Sequence, residues 1–183
     1  QFGTISIAEN SIEDNAGASG GGVSVNILGY GSSDQLGVTL VDNLIRGNRS
    51  SSSGGGAHIS LTAYSGVIAS KIITITKNDI RANTAVSAGG GLYISGSSWP
   101  AIAVVALTNN RITDNAAYTY YEYGGGGAYV AAVEVAMNLN TVSGNEAPYS
   151  YGGGGLYLSA GSAKIIGNSI NENSASSAYY PAS

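Results

Sequence analysis

Eleven carboxylates, four arginines, one histidine and thirteen tyrosines make up most of the side chains of this 183-residue chain that could act on another molecule. The carboxylates are Glu9, Glu13, Asp14, Asp34, Asp42, Asp79, Asp114, Glu122, Glu134, Glu146 and Glu172. Cleaving a glycosidic bond needs two of them flanking that bond, and holding Ca²⁺ needs several oxygens to converge. His58 has neither a second histidine nor any cysteine with which to share a transition metal. Serines are plentiful, but nothing in the spacing sets a Ser-His-Asp arrangement around His58. The tyrosines are grouped: Tyr118, Tyr120, Tyr121 and Tyr123, then Tyr149 and Tyr151, then Tyr179 and Tyr180. A tyrosine offers a broad apolar ring and a polar tip, which suits interfaces and sugars.

What brings such residues together is a repeat. Six times the chain writes apolar-x-apolar, two residues, Asn, x, an aliphatic residue, two residues, Asn. The first Asn of each copy is Asn10, Asn43, Asn78, Asn110, Asn140 or Asn168, at steps of 33, 35, 32, 30 and 28 residues. The second is Asn15, Asn48, Asn83, Asn115, Asn145 or Asn173. Repeats at such a period indicate a solenoid. Each copy but the last continues into a glycine run and an alternating stretch, as in Gly20-Gly21-Gly22-Val23-Ser24-Val25 and Gly89-Gly90-Gly91-Leu92-Tyr93-Ile94. Period-2 alternation predicts strands with one buried face, and no stretch carries a helical period.

The expectation is an all-β parallel β-helix of about five to six coils, three short strands per coil, as a single domain over residues 1–183. The three strands are placed before the first Asn, between the two Asn and after the glycines. The right-handed sense follows from the preference of parallel crossovers. Coils about 4.8 Å apart give a rod of roughly 25–30 Å. Asn side chains in equivalent corners are expected to ladder from coil to coil. No Gly-Lys-Ser/Thr follows a glycine run, so these are corners rather than phosphate loops.

The bulk numbers narrow the partners. Net charge is −4 with no basic cluster, which argues against nucleic acid. No apolar run approaches 18 residues, so no transmembrane helix is predicted. Gln1 without a preceding Met reads as the residue after a removed leader, which implies export; the other reading is a fragment of a longer chain. In an exporting host Asn48-Arg49-Ser50 is a glycosylation sequon.

The pairing of Ile-x-x-Asn (Ile12-Glu13-Asp14-Asn15, Ile45-Arg46-Gly47-Asn48) with Gly-Gly-Gly-(Leu/Ala/Val) resembles the repeats of the polymorphic outer-membrane protein family, which alternates Phe-x-x-Asn with Gly-Gly-Ala-(Ile/Leu/Val). More broadly the chain resembles parallel β-helix proteins of the pectate-lyase-like superfamily. The resemblance covers nearly the whole chain. It implies an exported, surface-exposed β-helix, often an adhesin or passenger domain. Ile or Val stands where the family has Phe, and a third Gly where it has Ala. Polysaccharide-cleaving members of the superfamily need clustered carboxylates, usually near Arg or Lys.

On the repeat, the carboxylates do not cluster. The position before the second Asn reads Asp14, Gly47, Ala82, Asp114, Gly144, Glu172, which separates the acids by Gly or Ala. Asp79 and Arg111 fall in adjacent coils as an expected ion pair, and Arg46 stacks on Arg81. His58 lies in an outward column that reads Ser24, His58, Tyr93, Tyr129, Tyr157. No catalytic residue, metal site or cofactor is therefore assigned. The first expectation is a non-enzymatic extracellular or cell-surface structural or adhesive protein, whose copies stack head to tail because no capping helix is predicted at either end. The alternative is a carbohydrate-binding or polysaccharide-cleaving β-helix that uses Tyr93, Tyr129, Tyr157 and the Tyr-rich corner on surface glycans. A third, ice binding, would want a Thr-x-Thr column, which Thr74-Ile75-Thr76 alone offers.

Overall fold

The computed structural model describes residues 2–29, 35–63, 70–96, 102–118 and 124–176. They form a parallel β-solenoid of about five turns with three sheets. No described residue is helical, and no helix is long and apolar enough to cross a membrane.

The strand before the first Asn recurs as Phe2–Ala8, Gln35–Val41, Ser70–Thr76 and Ile102–Thr108. Its alternation points Val38, Ile73, Val105 and Val135 inward in one column, and Leu40, Ile75, Leu107 and Met137 in the next; all are buried. The strand between the two Asn recurs as Ser11–Glu13, Leu44–Arg46, Asp79–Arg81, Arg111–Thr113, Thr141–Ser143 and Ser169–Asn171. It contributes Ile45, Ile80, Ile112 and Val142 to the same core. Like side chains thus stack on like, which lets one coil's packing be copied by the next.

The third side differs from the sequence expectation in detail. The strands after the glycines, such as Ala57–Ala63 and Leu92–Ser95, share one sheet with the strands before the first Asn. In Ala128–Asn138 and Leu156–Ile166 the two run together as one 11-residue strand. The inward phase slips by one at Val133, from Ala132 to Val135, so a bend rather than a loop divides the segments. The third sheet is built instead from the two or three residues after each second Asn: Ala16–Gly17, Arg49–Ser50, Thr84–Ala85, Ala116–Ala117, Glu146–Pro148 and Ser174–Ser176. Too short to show alternation, they carry no periodic signal.

Corners are made by left-handed backbone immediately before each Asn. Glu9, Asp42, Lys77, Asn109 and Leu139 precede the first Asn with φ between 53° and 58°. Asp14, Ala82, Asp114 and Glu172, with Gly47 and Gly144, do so before the second. The glycine runs serve closeness as well as turning. A Cβ on Gly91 would lie 2.8 Å from the Gly127 carbonyl oxygen and 2.9 Å from Asn115 Cγ, and the equivalents Gly56 and Gly127 are as tight. The third glycine is where one corner packs against the second Asn column.

Candidate functional site

Two Asn columns run the length of the rod, and both have a direction. At every junction the backbone N–H and the Nδ2–H of one Asn donate to Oδ1 of the Asn in the next coil. Asn78 to Asn110 does so at 2.9 and 3.0 Å, and Asn83 to Asn115 at 3.0 and 2.9 Å. The later Asn also donates Nδ2–H back to the carbonyl three residues before the earlier one, as Asn110 does to Ile75 at 2.7 Å and Asn115 to Ile80 at 3.0 Å. Asn43, Asn78, Asn110 and Asn140, with Asn48, Asn83, Asn115 and Asn145, are all buried. A buried amide satisfied this way holds position and register together. The same burial removes Asn48 as a glycan acceptor in the folded state, since its Nδ2 already donates to Ile12 O and Asn83 Oδ1.

The ion-paired residues Glu13, Arg46, Asp79, Arg81 and Arg111 stand on the strands between the two Asn columns. Arg111 Nη1 meets Asp79 Oδ1 at 3.1 Å in adjacent coils, as the spacing predicts. Arg46 and Arg81 are register partners, but each has an acid beside it. Arg46 Nη2 lies 2.6 Å from Glu13 Oε2. Arg81 Nε lies 3.2 Å from Asp79 Oδ2, without the alignment of a hydrogen bond. The Ser11 hydroxyl, with Arg46 assisting, holds the Glu13 carboxyl below its ordinary range. These are solvated pairs, and solvent screening leaves each with little weight in stability. Among the described residues, no three His, Cys, Asp or Glu converge as metal ligands.

The aromatic column forms as the alternation predicts. Ser24, His58, Tyr93, Tyr129 and Tyr157 are register partners in turn. The His58, Tyr93, Tyr129 and Tyr157 rings stack with centroids 4.8, 4.9 and 5.0 Å apart and planes within 13°. Ring faces inside this stack are covered by one another, so a sugar would meet edges and hydroxyls rather than faces. Burial lowers the His58 pKa, and its Nδ1 is buried without a hydrogen-bond partner.

At the Tyr-rich corner, Tyr118, Tyr149 and Tyr151 are exposed. Tyr120, Tyr121, Tyr123, Tyr179 and Tyr180 lie outside the described residues. One residue the sequence reading did not single out is Lys71, which is fully buried and points inward with Nζ 3.0 Å from Thr62 O. Its place two residues before Ile73, on the inward phase, was the available signal.

Compared with known protein families, curated proteins and solved structures, the chain has no match.

Proposed function

We propose that the chain is a non-enzymatic structural or adhesive β-solenoid of the cell exterior, whose copies associate end to end into a fibre. The observation that carries this reading is the directional Asn ladder. Each junction has a donating side and an accepting side, so a rod built from such junctions has two different, complementary ends. The repeat's resemblance to polymorphic outer-membrane proteins supports the surface location. The stacked rings and the Arg46–Glu13 and Arg111–Asp79 pairs join adjacent coils, and the Arg81–Asp79 pair lies within one strand, so packing within the rod accounts for them, which favours a scaffold over a catalyst. Sedimentation of the purified chain across a hundredfold concentration range tests it. Mass should grow with concentration; a constant monomer mass at all concentrations sinks the reading.

A second reading, glycan binding, is favoured by Tyr118, Tyr149 and Tyr151 standing exposed at one corner. A glycan array on wild type and on the Tyr118→Ala, Tyr151→Ala double variant distinguishes it, since binding there should depend on those rings.

A further inference from the structure

We propose that the tyrosine column is an oxidative cross-linking site. Under a one-electron oxidant, Tyr129 joins its ring to that of Tyr93 or Tyr157 and staples two adjacent coils by a carbon–carbon bond. The site lies within one rod and does not depend on association of copies.

The rings form a translated stack. Tyr93 and Tyr129 are register partners with centroids 4.9 Å apart and planes 10° apart, and Tyr129 and Tyr157 repeat this at 5.0 Å and 13°. These separations match a coil spacing of about 4.8 Å, so each ring is close to a copy of its neighbour moved by one coil. Each ring carbon therefore faces its own counterpart. That includes the carbons beside the phenolic oxygen, on which an oxidised tyrosine carries unpaired spin. Coupling needs two such carbons to meet, and the parallel register supplies the pairing.

The rings also have room to close the gap. All three tyrosines are half-buried, held by the strand yet reached by solvent. The residues two further along the same strands, Ser95, Ala131 and Ser159, are small, which leaves space for a ring to tilt toward its neighbour. His58 stacks on Tyr93 at 4.8 Å. Imidazole forms no phenoxyl radical, so within this four-ring stack coupling is confined to the tyrosines. Tyr129 belongs to both pairs.

In the reaction each tyrosine loses one electron and its phenolic proton. The two phenoxyl radicals form one carbon–carbon bond, and the hydrogen on each bonded carbon moves to the oxygen as the ring becomes aromatic again. The net loss is two electrons and two protons. One hydrogen peroxide takes these up to give two waters, with a haem peroxidase as the one-electron relay. The bond joins residues 36 apart (129 − 93) or 28 apart (157 − 129) and restrains the unfolded chain as a disulfide would. A neighbour held in the same molecule presents an effective concentration of about 1 mM, so at about 1 μM protein the internal link outruns collision between molecules about a thousandfold.

Peroxide and a haem peroxidase applied to the folded chain at about 1 μM test the assignment. Dityrosine fluorescence and tandem mass spectrometry of the digested product read it. Wild type should lose two hydrogen atoms per link, with Tyr129 joined to Tyr93 or Tyr157, and the yield per molecule should not change on dilution. Tyr129→Phe keeps a ring in the stack but removes both pairs, so links at residues 93 and 157 should be lost. Tyr93→Phe should leave the link between 129 and 157, and Tyr157→Phe the link between 93 and 129. Links confined to other tyrosines, such as Tyr118, Tyr149 and Tyr151 at the exposed corner, would overturn the assignment. So would links at residues 93 and 157 that survive Tyr129→Phe, or a yield that falls in proportion to dilution.

Discussion

The backbone N–H and the side-chain Nδ2–H of Asn78 converge on a single atom, Oδ1 of Asn110, at 2.9 and 3.0 Å, with both residues almost fully buried. One amide thereby fixes the spacing, the register and the polarity of two coils that are 32 residues apart in the chain. The same arrangement, repeated at two corners of every coil, makes the rod directional.

Replacing Asn110 by Ala should therefore be severe. It strands the Asn78 N–H and takes the Asn110 amide from the Ile75 carbonyl, both inside the rod, while Asn78 Nδ2 keeps Leu40 O and Thr76 O. A loss of about 3–5 kcal/mol is expected from unsatisfied buried groups. Asn10→Ala, at the exposed first position, should lose about 1 kcal/mol. Urea unfolding followed by circular dichroism measures both; equal effects would mean that the ladder is not what holds the coils.

Gly91→Ala tests the close approach of the glycine corner. The added methyl would sit 2.8 Å from the Gly127 carbonyl oxygen, which is backbone and cannot rotate away. A loss of about 2–3 kcal/mol is expected. A neutral result would show that the corner has room that the structure denies it.

Ala82→Gly should act in the opposite direction. Ala82 has φ of 53°, while Gly47 and Gly144 occupy the same column with φ of 67° and 64°. Relief of left-handed strain outweighs the entropy that glycine adds to the unfolded chain, for a net gain of about 0.5–1 kcal/mol. A drop in the urea midpoint would contradict it.

His58 gives the fold a pH dependence of definite sign. Burial lowers its pKa in the folded state, so the unfolded chain binds the proton more readily. Its contribution is complete above the unfolded value of about 6.5 and is lost as pH falls through the lowered folded value. Wild type should therefore destabilise below about pH 6.5 more steeply than His58→Tyr, which keeps the stack with Tyr93 and removes the titration. Parallel pH profiles for the two proteins would refute this.

The twelve ladder Asn could be read from the sequence because their spacing is kept in every copy, and the outward Tyr column because the glycine run marks its phase. The aromatic stack and the Asp79–Arg111 pair follow from that register alone. Sheet membership was not legible in the same way. Whether the strand after the glycines joins the next coil's first strand depends on the angle at residues such as Val133, and alternation is silent about angles. Segments of two residues, such as Ala116–Ala117, are too short to alternate at all. Lys71 was hidden by its type, since a lysine on the inward phase of a strand reads as an interruption rather than as core. The direction of the ladder needed atoms: Asn at both ends looks symmetric in sequence, yet Oδ1 faces one way and N–H the other.

End-to-end association of copies is tested most directly by electron microscopy of the purified chain over increasing concentration. Filaments one rod wide should appear and lengthen with concentration. Single rods of roughly 25–30 Å at every concentration would contradict it.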